Sequence, residues 1–364
     1  MNKNLKISKI QFSILLIFPI LTTFNTISFN NIIKLAKNDA YIGIIYAFII
    51  GFILLYIFIY ILNYKPQLSL PEKNIYLFDK VLGTIINYLI LFIISIIGIT
   101  ILYSTSNFIM IHYLKETPRI IILLVMGFII SFNVSHGIET ITRTAFIFFI
   151  IIIILTTCST TGLIPKVNIN NILPILDHNN IKKTVIAGNN LILNTILPIF
   201  TLLIIPKDYI KDNKHINKYI IIFYILSIIQ IFLITFLTIS ILTIQLIKLY
   251  NHPEYIILKK LSIFNFIDKI ENIVYLKWIF ANFTTLFIIT YYISNTIKKE
   301  DKARKTPIIV TSIIILLPII LFKNNIDFNK FILNNHHYLN IILLLIILII
   351  FISIHIKKLK ERHN

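Results

Sequence analysis

The chain has 364 residues, of which 57% are hydrophobic, and its mean hydropathy is +0.87. A soluble domain is about 45–50% apolar and must still cover a large wet surface, so this composition excludes a soluble globular protein and predicts an all-α integral membrane protein. The net charge is +19, but the basic residues are scattered between the apolar segments. That scatter is typical of membrane-protein loops and argues against a nucleic-acid partner.

Ten apolar segments are candidates to cross the lipid bilayer, which takes about 20 residues per helix. The first follows three lysines and lacks a small-residue cleavage site, so we interpret it as a retained span and not as a signal peptide. Together the segments form one polytopic domain over residues 1–364. Spans one to ten are predicted at residues 10–29, 40–62, 84–111, 119–135, 144–163, 185–205, 219–247, 271–295, 307–322 and 339–356.

The distribution of Lys and Arg between the spans predicts the orientation of the chain. With the N-terminus inside, the inner segments hold 20 of these residues and the outer segments roughly 13. By the positive-inside rule, both termini are therefore cytoplasmic, which agrees with an even number of spans. In the outer loop 248–270, residues 255–269 alternate apolar and charged residues and predict an amphipathic helix in the membrane interface; the alternative is a short structured loop.

Spans one and six contain polar residues where a helix in lipid should be apolar. Span one reads TTFNT over residues 22–26, and span six carries Asn194 and Thr195 just before Pro198. If residues 10–163 and 185–356 are two five-span repeats, these positions are equivalent. The pattern then predicts a five-plus-five inverted repeat with broken helices 1 and 6 and a ligand site between them. The alternative is that these side chains bond their own helix backbone or join helices.

The remaining polar residues indicate binding rather than catalysis. In span eight, Asn282 and Thr285 lie three apart and share a helix face, and spans one, three, six and eight would line the central cavity. Glu139 and Arg143, four apart, predict a structural ion pair. No carboxylate lies in the middle of a span, no catalytic motif is recognised, and Cys158 is the single cysteine. We therefore predict no enzyme activity, no cofactor and no metal site.

Five segments carry a resemblance to a known family. Residues 38–41 (NDAY), 114–118 (LKETP), 137–143 (GIETITR), 165–174 and 264–278 resemble, in order and spacing, motifs of the B subunits of spore germinant receptors. These B subunits form the endospore germination permease family of the amino acid–polyamine–organocation superfamily. The resemblance covers the chain from about residue 6 to its C-terminus.

This resemblance implies a subunit in the inner membrane of the dormant spore, beside an A subunit and a lipoprotein C subunit. It implies binding of a small, amino acid-like nutrient germinant that triggers germination. We add the hypothesis that Asn194 and Thr285 contact the germinant. Carried over by position, the resemblance implies that Thr22, Asn25, Ile93, Ile97, Thr195, Leu197, Pro198 and Thr285 bind the ligand, and our hypothesis adds Asn194 to these predicted ligand-binding residues.

Two other functions remain open at this point. One is an amino-acid permease with the same fold, and the other is a membrane scaffold whose pocket has been lost. The chain departs from the family at Thr22 and Phe24, where small glycines are usual, near Pro198, where Gly and Glu are frequent, and in span three, which lacks a central carboxylate. The receptor is favoured because the family motifs are present and because no span carries a carboxylate suited to ion coupling.

Overall fold

The computed structural model describes residues 7–175, 180–250, 252–259, 270–297, 305–322 and 324–363. The described chain is almost entirely helical, which confirms the predicted all-α class. The exceptions include two short strands, Ile7–Ser8 and Ile210–Lys211, which pair in parallel. Within the described residues, seven helices are long and apolar enough to cross a membrane, by length and composition.

The helices follow one another along the chain with few long connections between them. In order, they are α1 (Lys9–Leu15), α2 (Ile17–Thr23), a π-helix (Phe24–Ser28), α3 (Phe29–Ala36), α4 (Ala40–Asn63), α5 (Leu70–His112), α6 (Arg119–Ser135), α7 (Ile138–Leu163), α8 (Ile181–Ile196), a 3-10 helix (Leu197–Ile204), α9 (Ile216–Ile241), α10 (Ile244–Leu249), α11 (Pro253–Leu258), α12 (Ile270–Ile297), α13 (Lys305–Leu321), α14 (Asn325–Asn334) and α15 (His336–His363). Shorter 3-10 turns lie at Lys37–Asp39, Ile164–Lys166, Ile169–Ile172, Lys207–Tyr209 and Asn213–His215.

Each of the ten predicted spans falls on helical structure, but span seven (219–247) extends past the end of α9 at Ile241 and into α10. Spans one and two lie in the nearly continuous helical run Lys9–Asn63, and spans four and nine coincide with the two shorter apolar helices, Arg119–Ser135 and Thr306–Leu321. The number of membrane crossings and the inverted repeat stay predictions. The predicted interfacial helix begins in α11, and its residues 260–269 lie outside the described residues.

The segment before span three is helical, and it contains a buried lysine, although it looks like a polar loop in the sequence. The helix α5 begins at a capping box, in which the backbone N–H of Ser69 donates to Glu72, and it bends where Asp79 adopts a φ of +61°. Lys73, only 1% exposed, donates from Nζ to the carbonyl oxygen of Ile61 at 2.7 Å. A cation that caps the last carbonyls of α4 is favourable both for the unpaired C=O groups and for the helix dipole.

Two helices organise the packing around the candidate site. The helix α12 contacts α2, α5, α6, α7 and α13, and α8 contacts α3, α4 and α15. At the junction of α6 and α7, Arg143 donates to the carboxylate of Glu139, which confirms the predicted ion pair. Both side chains are well exposed, so the pair belongs to the surface and contributes little to stability.

Candidate functional site

The predicted break in span one is a π-helix. It follows α2 without an unwound stretch, and the chain continues helically into α3. The hydroxyl of Thr23 donates to the carbonyl oxygen of Pro19 at 2.6 Å. A π-helix widens the helical turn by one residue and is frequent at functional sites. Polar residues Asn25 and Thr26 lie within it, so the irregular backbone and the polar side chains coincide.

The predicted break in span six is a tightened helix. From Leu197 the backbone is 3-10, and Pro198, which has no N–H, stands at its start. The hydroxyls bond locally: Thr195 donates to the carbonyl of Leu191 at 2.7 Å and Thr201 to that of Pro198 at 2.7 Å. Every residue from 197 to 204 is buried, so this segment packs in the apolar core.

Two predicted ligand-binding residues from distant spans are in contact. The Oγ1 atom of Thr285 in α12 lies 2.9 Å from Oγ1 of Thr22 in α2 and 2.9 Å from the carbonyl oxygen of Ala281. Both threonines are fully buried. The contact with the Ala281 carbonyl lies within α12, as is common for a threonine in a helix. The contact with Thr22 is between helices, so it joins span one to span eight close to the π-helix.

A third predicted residue, Asn194, belongs to a different cluster. Asn340 of α15 donates to Asn194 Oδ1 at 2.6 Å, and His336 Nδ1 lies 3.2 Å from the same oxygen. All three side chains are buried. Among the described residues, His336 Nε2 and Asn340 Oδ1 have no partner. This cluster links α8 to α15, so the structure separates Asn194 from the contact made by Thr285.

A polar cavity of about 310 Å³, here called the vestibule, opens beside the π-helix. Its size is at the lower end of the range of small-molecule sites, about 300–1,000 Å³. Its described lining provides many amide and hydroxyl groups and no carboxylate, which suits a polar ligand. The lining residues are Asn25, Thr26, Ile27, Asn30, Asn31, Lys34, Ser104, Asn107, His252, Asn325, Phe328, Asn329 and Ile332.

A smaller cavity of about 60 Å³ is here called the inner cavity. Asn25 lines both cavities, and on the entry to α11 His252 lines the vestibule while Glu254 lines the inner cavity. The inner cavity is bounded by spans one, five, seven and eight and by α11. Its lining residues are Leu21, Phe24, Asn25, Ile152, Thr156, Thr160, Gln230, Ile231, Leu233, Ile234, Glu254, Leu258, Tyr275, Lys277, Trp278 and Ala281.

The charged groups of the inner cavity were not among the predicted site residues. Glu254 is only 4% exposed although its sequence position is in a loop, and Lys277 is partly buried in span eight. The hydroxyl of Tyr275 donates to Glu254 Oε1 at 3.3 Å, and Lys277 Nζ donates to Ser159 Oγ of α7 at 3.1 Å. In the sequence, a lysine inside an apolar span could have predicted a functional site at Lys277. No local signal indicates that Glu254 folds inward.

The other predicted site residues lie outside these two cavities. Ile93 and Ile97 in α5 and Leu197 and Pro198 in the 3-10 helix are buried, and none of the four lines the vestibule or the inner cavity. Thr195 lines a separate apolar space of about 20 Å³. Of the nine predicted residues, Asn25 alone lines both cavities. Contact of these residues with a germinant stays a prediction.

Comparison with known proteins places the sequence in a family. A family model described as a spore germination protein matches residues 6–329, which is most of the chain. No curated protein matches the sequence.

Proposed function

This chain belongs to the spore germination protein family, and we propose that it is the membrane B subunit of a nutrient germinant receptor. In this role it binds a small, amino acid-like germinant within the membrane and thereby triggers germination. Its location is the inner membrane of the spore, with both termini in the cytoplasm. Its partners are an A subunit, a lipoprotein C subunit and the surrounding lipid bilayer.

The observation that carries this proposal is the position of Asn25. It stands in the π-helix of span one and lines both the vestibule and the inner cavity. A ligand in the polar vestibule therefore lies beside the irregular part of span one, which also borders the inner cavity. Irregular backbone that borders a cavity is the usual place for a ligand in proteins with broken membrane helices.

Binding at this place offers a way to produce a signal. A ligand shifts a conformational equilibrium only if it binds one conformation better than the other. The Thr22–Thr285 contact ties span one to span eight beside the π-helix. A ligand that repacks the π-helix changes this contact, and the change passes to α12, which packs against α2, α5, α6, α7, α11, α13 and the 3-10 helix of span six.

A second candidate function is an amino-acid permease of the same fold. The observation that favours it is Glu254, a buried carboxylate next to a cavity, because ion-coupled transporters often use such a group. A permease and a receptor both need a binding cavity, so the cavity alone does not separate them. They differ in whether the ligand crosses the membrane or only triggers a response.

Germination of spores that lack this gene tests the proposal. Mutant spores, wild-type spores and mutant spores carrying the restored gene are exposed to a panel of amino acids and other small nutrients. The response is scored by loss of refractility and by release of calcium–dipicolinate. Loss of the response to one nutrient class, restored with the gene, is the expected result. Normal germination with every nutrient, combined with reduced amino-acid uptake in growing cells, would refute the receptor and support the permease.

A further inference from the structure

Lysines from two parts of the chain lie on tyrosine rings where α4 and α15 end and α5 begins. At the C-terminal end of α15, Lys358 Nζ lies 4.1 Å from the ring centre of Tyr60 in α4, and Lys357 Nζ lies 3.8 Å from that of Tyr76 in α5. Lys65, from the turn between α4 and α5, also lies over Tyr76, at 5.2 Å. We call these five residues the basic cluster. An ammonium on an aromatic face keeps N–H donors for a further partner while the ring fixes its position.

The basic cluster carries an excess of positive charge. Its acidic neighbour is Glu361, whose Oε1 lies 3.9 Å from Lys65 Nζ and accepts from the Tyr76 hydroxyl at 3.4 Å. Lys357 donates to the carbonyl oxygen of Tyr76 at 2.9 Å and forms no ion pair among the described residues. The positive-inside rule explains why lysines are present at this end of the helices, but it does not explain why their ammonium groups converge on a pair of rings. Such a convergence of charge attracts an anion.

Exposed apolar stripes on α4 and α15 lead to the basic cluster. The two helices contact each other, and the Tyr60 ring packs on that of Phe351 with the centroids 5.0 Å apart. Each stripe repeats every three or four positions, and the stripe of α15 is about 26 Å long, close to the thickness of the hydrocarbon core. The exposed residues of α15 are Ile342, Leu345, Ile349, Ile352, Ile356 and Leu359. Those of α4 are Ile45, Ile49, Ile53 and Tyr56, and Tyr60 follows one turn after Tyr56.

From this arrangement we propose that the basic cluster binds the headgroup of an anionic phospholipid. The phosphodiester accepts from the ammonium groups of Lys357 and Lys358, and the acyl chains lie on the stripes of α4 and α15. Basic residues clustered at the end of a membrane helix are typical of sites for anionic lipids. An acidic protein segment would match the lysines but not the adjoining stripes, so a ligand with an anionic part and an apolar part is favoured. In the proposed orientation the site belongs to the cytoplasmic leaflet, and it does not depend on the receptor function.

The test uses the purified full-length protein in micelles of a neutral detergent. Native mass spectrometry counts the lipids bound on titration with phosphatidylglycerol or with phosphatidylcholine of the same acyl chains, and the thermal unfolding midpoint is measured in parallel. Phosphatidylglycerol should bind at least about tenfold more tightly, because each lysine near the headgroup adds an attraction that phosphatidylcholine, with no net charge, does not have. It should also raise the midpoint more, since a ligand that binds the folded state stabilises it. Equal binding of the two lipids would overturn the proposal.

Two pairs of variants assign the site. Lys357→Gln combined with Lys358→Gln should remove the preference for phosphatidylglycerol. The matched control is Lys182→Gln combined with Lys183→Gln, which removes two adjacent, exposed lysines at the start of α8 and should keep the preference. A preference that survives in the α15 double variant would overturn the assignment.

The second pair leaves every charge of the basic cluster in place. Tyr60→Leu removes the ring under Lys358 and should weaken the binding of phosphatidylglycerol about two- to fivefold, whereas Tyr60→Phe keeps the ring and should bind like the wild type. If the α15 double variant does not fold, this pair decides, and equal binding by Tyr60→Leu and Tyr60→Phe would then overturn the assignment.

Two soluble anions separate a lipid from other anionic ligands. Inorganic phosphate and a hexaglutamate peptide carry negative charge without acyl chains, so each should need at least about a tenfold higher concentration than phosphatidylglycerol to occupy the site. Displacement of phosphatidylglycerol by phosphate at an equal concentration would show a general anion site, and displacement by the peptide would show a surface for an acidic protein segment. Either result would overturn the proposal of a lipid.

Discussion

Spans one and six carry similar sequence signals, a group of polar residues inside an apolar helix, but their surroundings in the folded protein differ. The π-helix of span one, Phe24–Ser28, borders the vestibule and the inner cavity. The 3-10 helix of span six, Leu197–Ile204, is buried along its whole length and borders neither. The polar side chains of span six that were predicted to bind a ligand bond within the helix or to α15.

A helix irregularity is therefore not by itself a binding site. In span six, a proline removes one backbone donor and the helix tightens around the loss, with hydroxyls such as that of Thr201 bonding local carbonyls. In span one no proline stands in the irregular segment, and the widened turn coincides with an amide that lines two cavities. The irregularity of span six has a local structural cause, whereas that of span one coincides with space for a ligand.

The largest effect is expected for Asn25→Leu, which replaces the amide by an apolar group of similar shape. The change removes a polar group from both cavities, so the germinant concentration for half-maximal response should rise about tenfold or more. Dose–response curves of germination, with the protein amount measured on blots, check this. Asn329→Leu, which alters the vestibule alone, is the matched control and should have a smaller effect. Equal effects of the two variants would show that Asn25 in span one is no more important for ligand binding than a residue that lines the vestibule alone.

An intermediate effect is expected for Thr285→Ala. The substitution removes a hydroxyl that contacts Thr22 and the Ala281 carbonyl, and the loss of one such bond corresponds to about 0.5–1.5 kcal/mol. The germinant concentration for half-maximal response should therefore rise about two- to tenfold at a normal protein level. Thr284→Ala, which loses a bond only within its own helix, is the control. A protein level that falls in proportion to the response would show that Thr285 acts through packing.

The smallest effect is expected for Pro198→Ala. Alanine restores a backbone N–H in a segment that borders neither cavity, so the germinant dose–response should change less than about twofold. The thermal unfolding midpoint of the purified protein measures any separate effect on stability. A large shift of the dose–response at an unchanged midpoint would show that span six contributes to the site as span one does.

Local residues were sufficient to predict several parts of the molecule. The apolar segments predicted helices at all ten positions, and the spacing of Glu139 and Arg143 predicted their ion pair. Asp79 and Lys73 show where this fails: nothing in the polar sequence around them predicts that the positive φ of Asp79 bends α5, or that Lys73 turns inward to cap α4. Burial of that lysine depends on α4, which lies earlier in the chain.

The candidate site was predicted only in part, for the same reason. Hydropathy and polar residues inside a span are properties of neighbouring residues, and they determined the class of the protein, its helices and the position of Asn25. Which polar side chains share a cavity depends on helix packing: Thr22 and Thr285 touch although 263 positions separate them, and Glu254 reaches the inner cavity from a loop. Only the tertiary structure decided that Asn194 contacts α15 and that Glu254 and Lys277 line one space, because packing brings together residues that the sequence keeps apart.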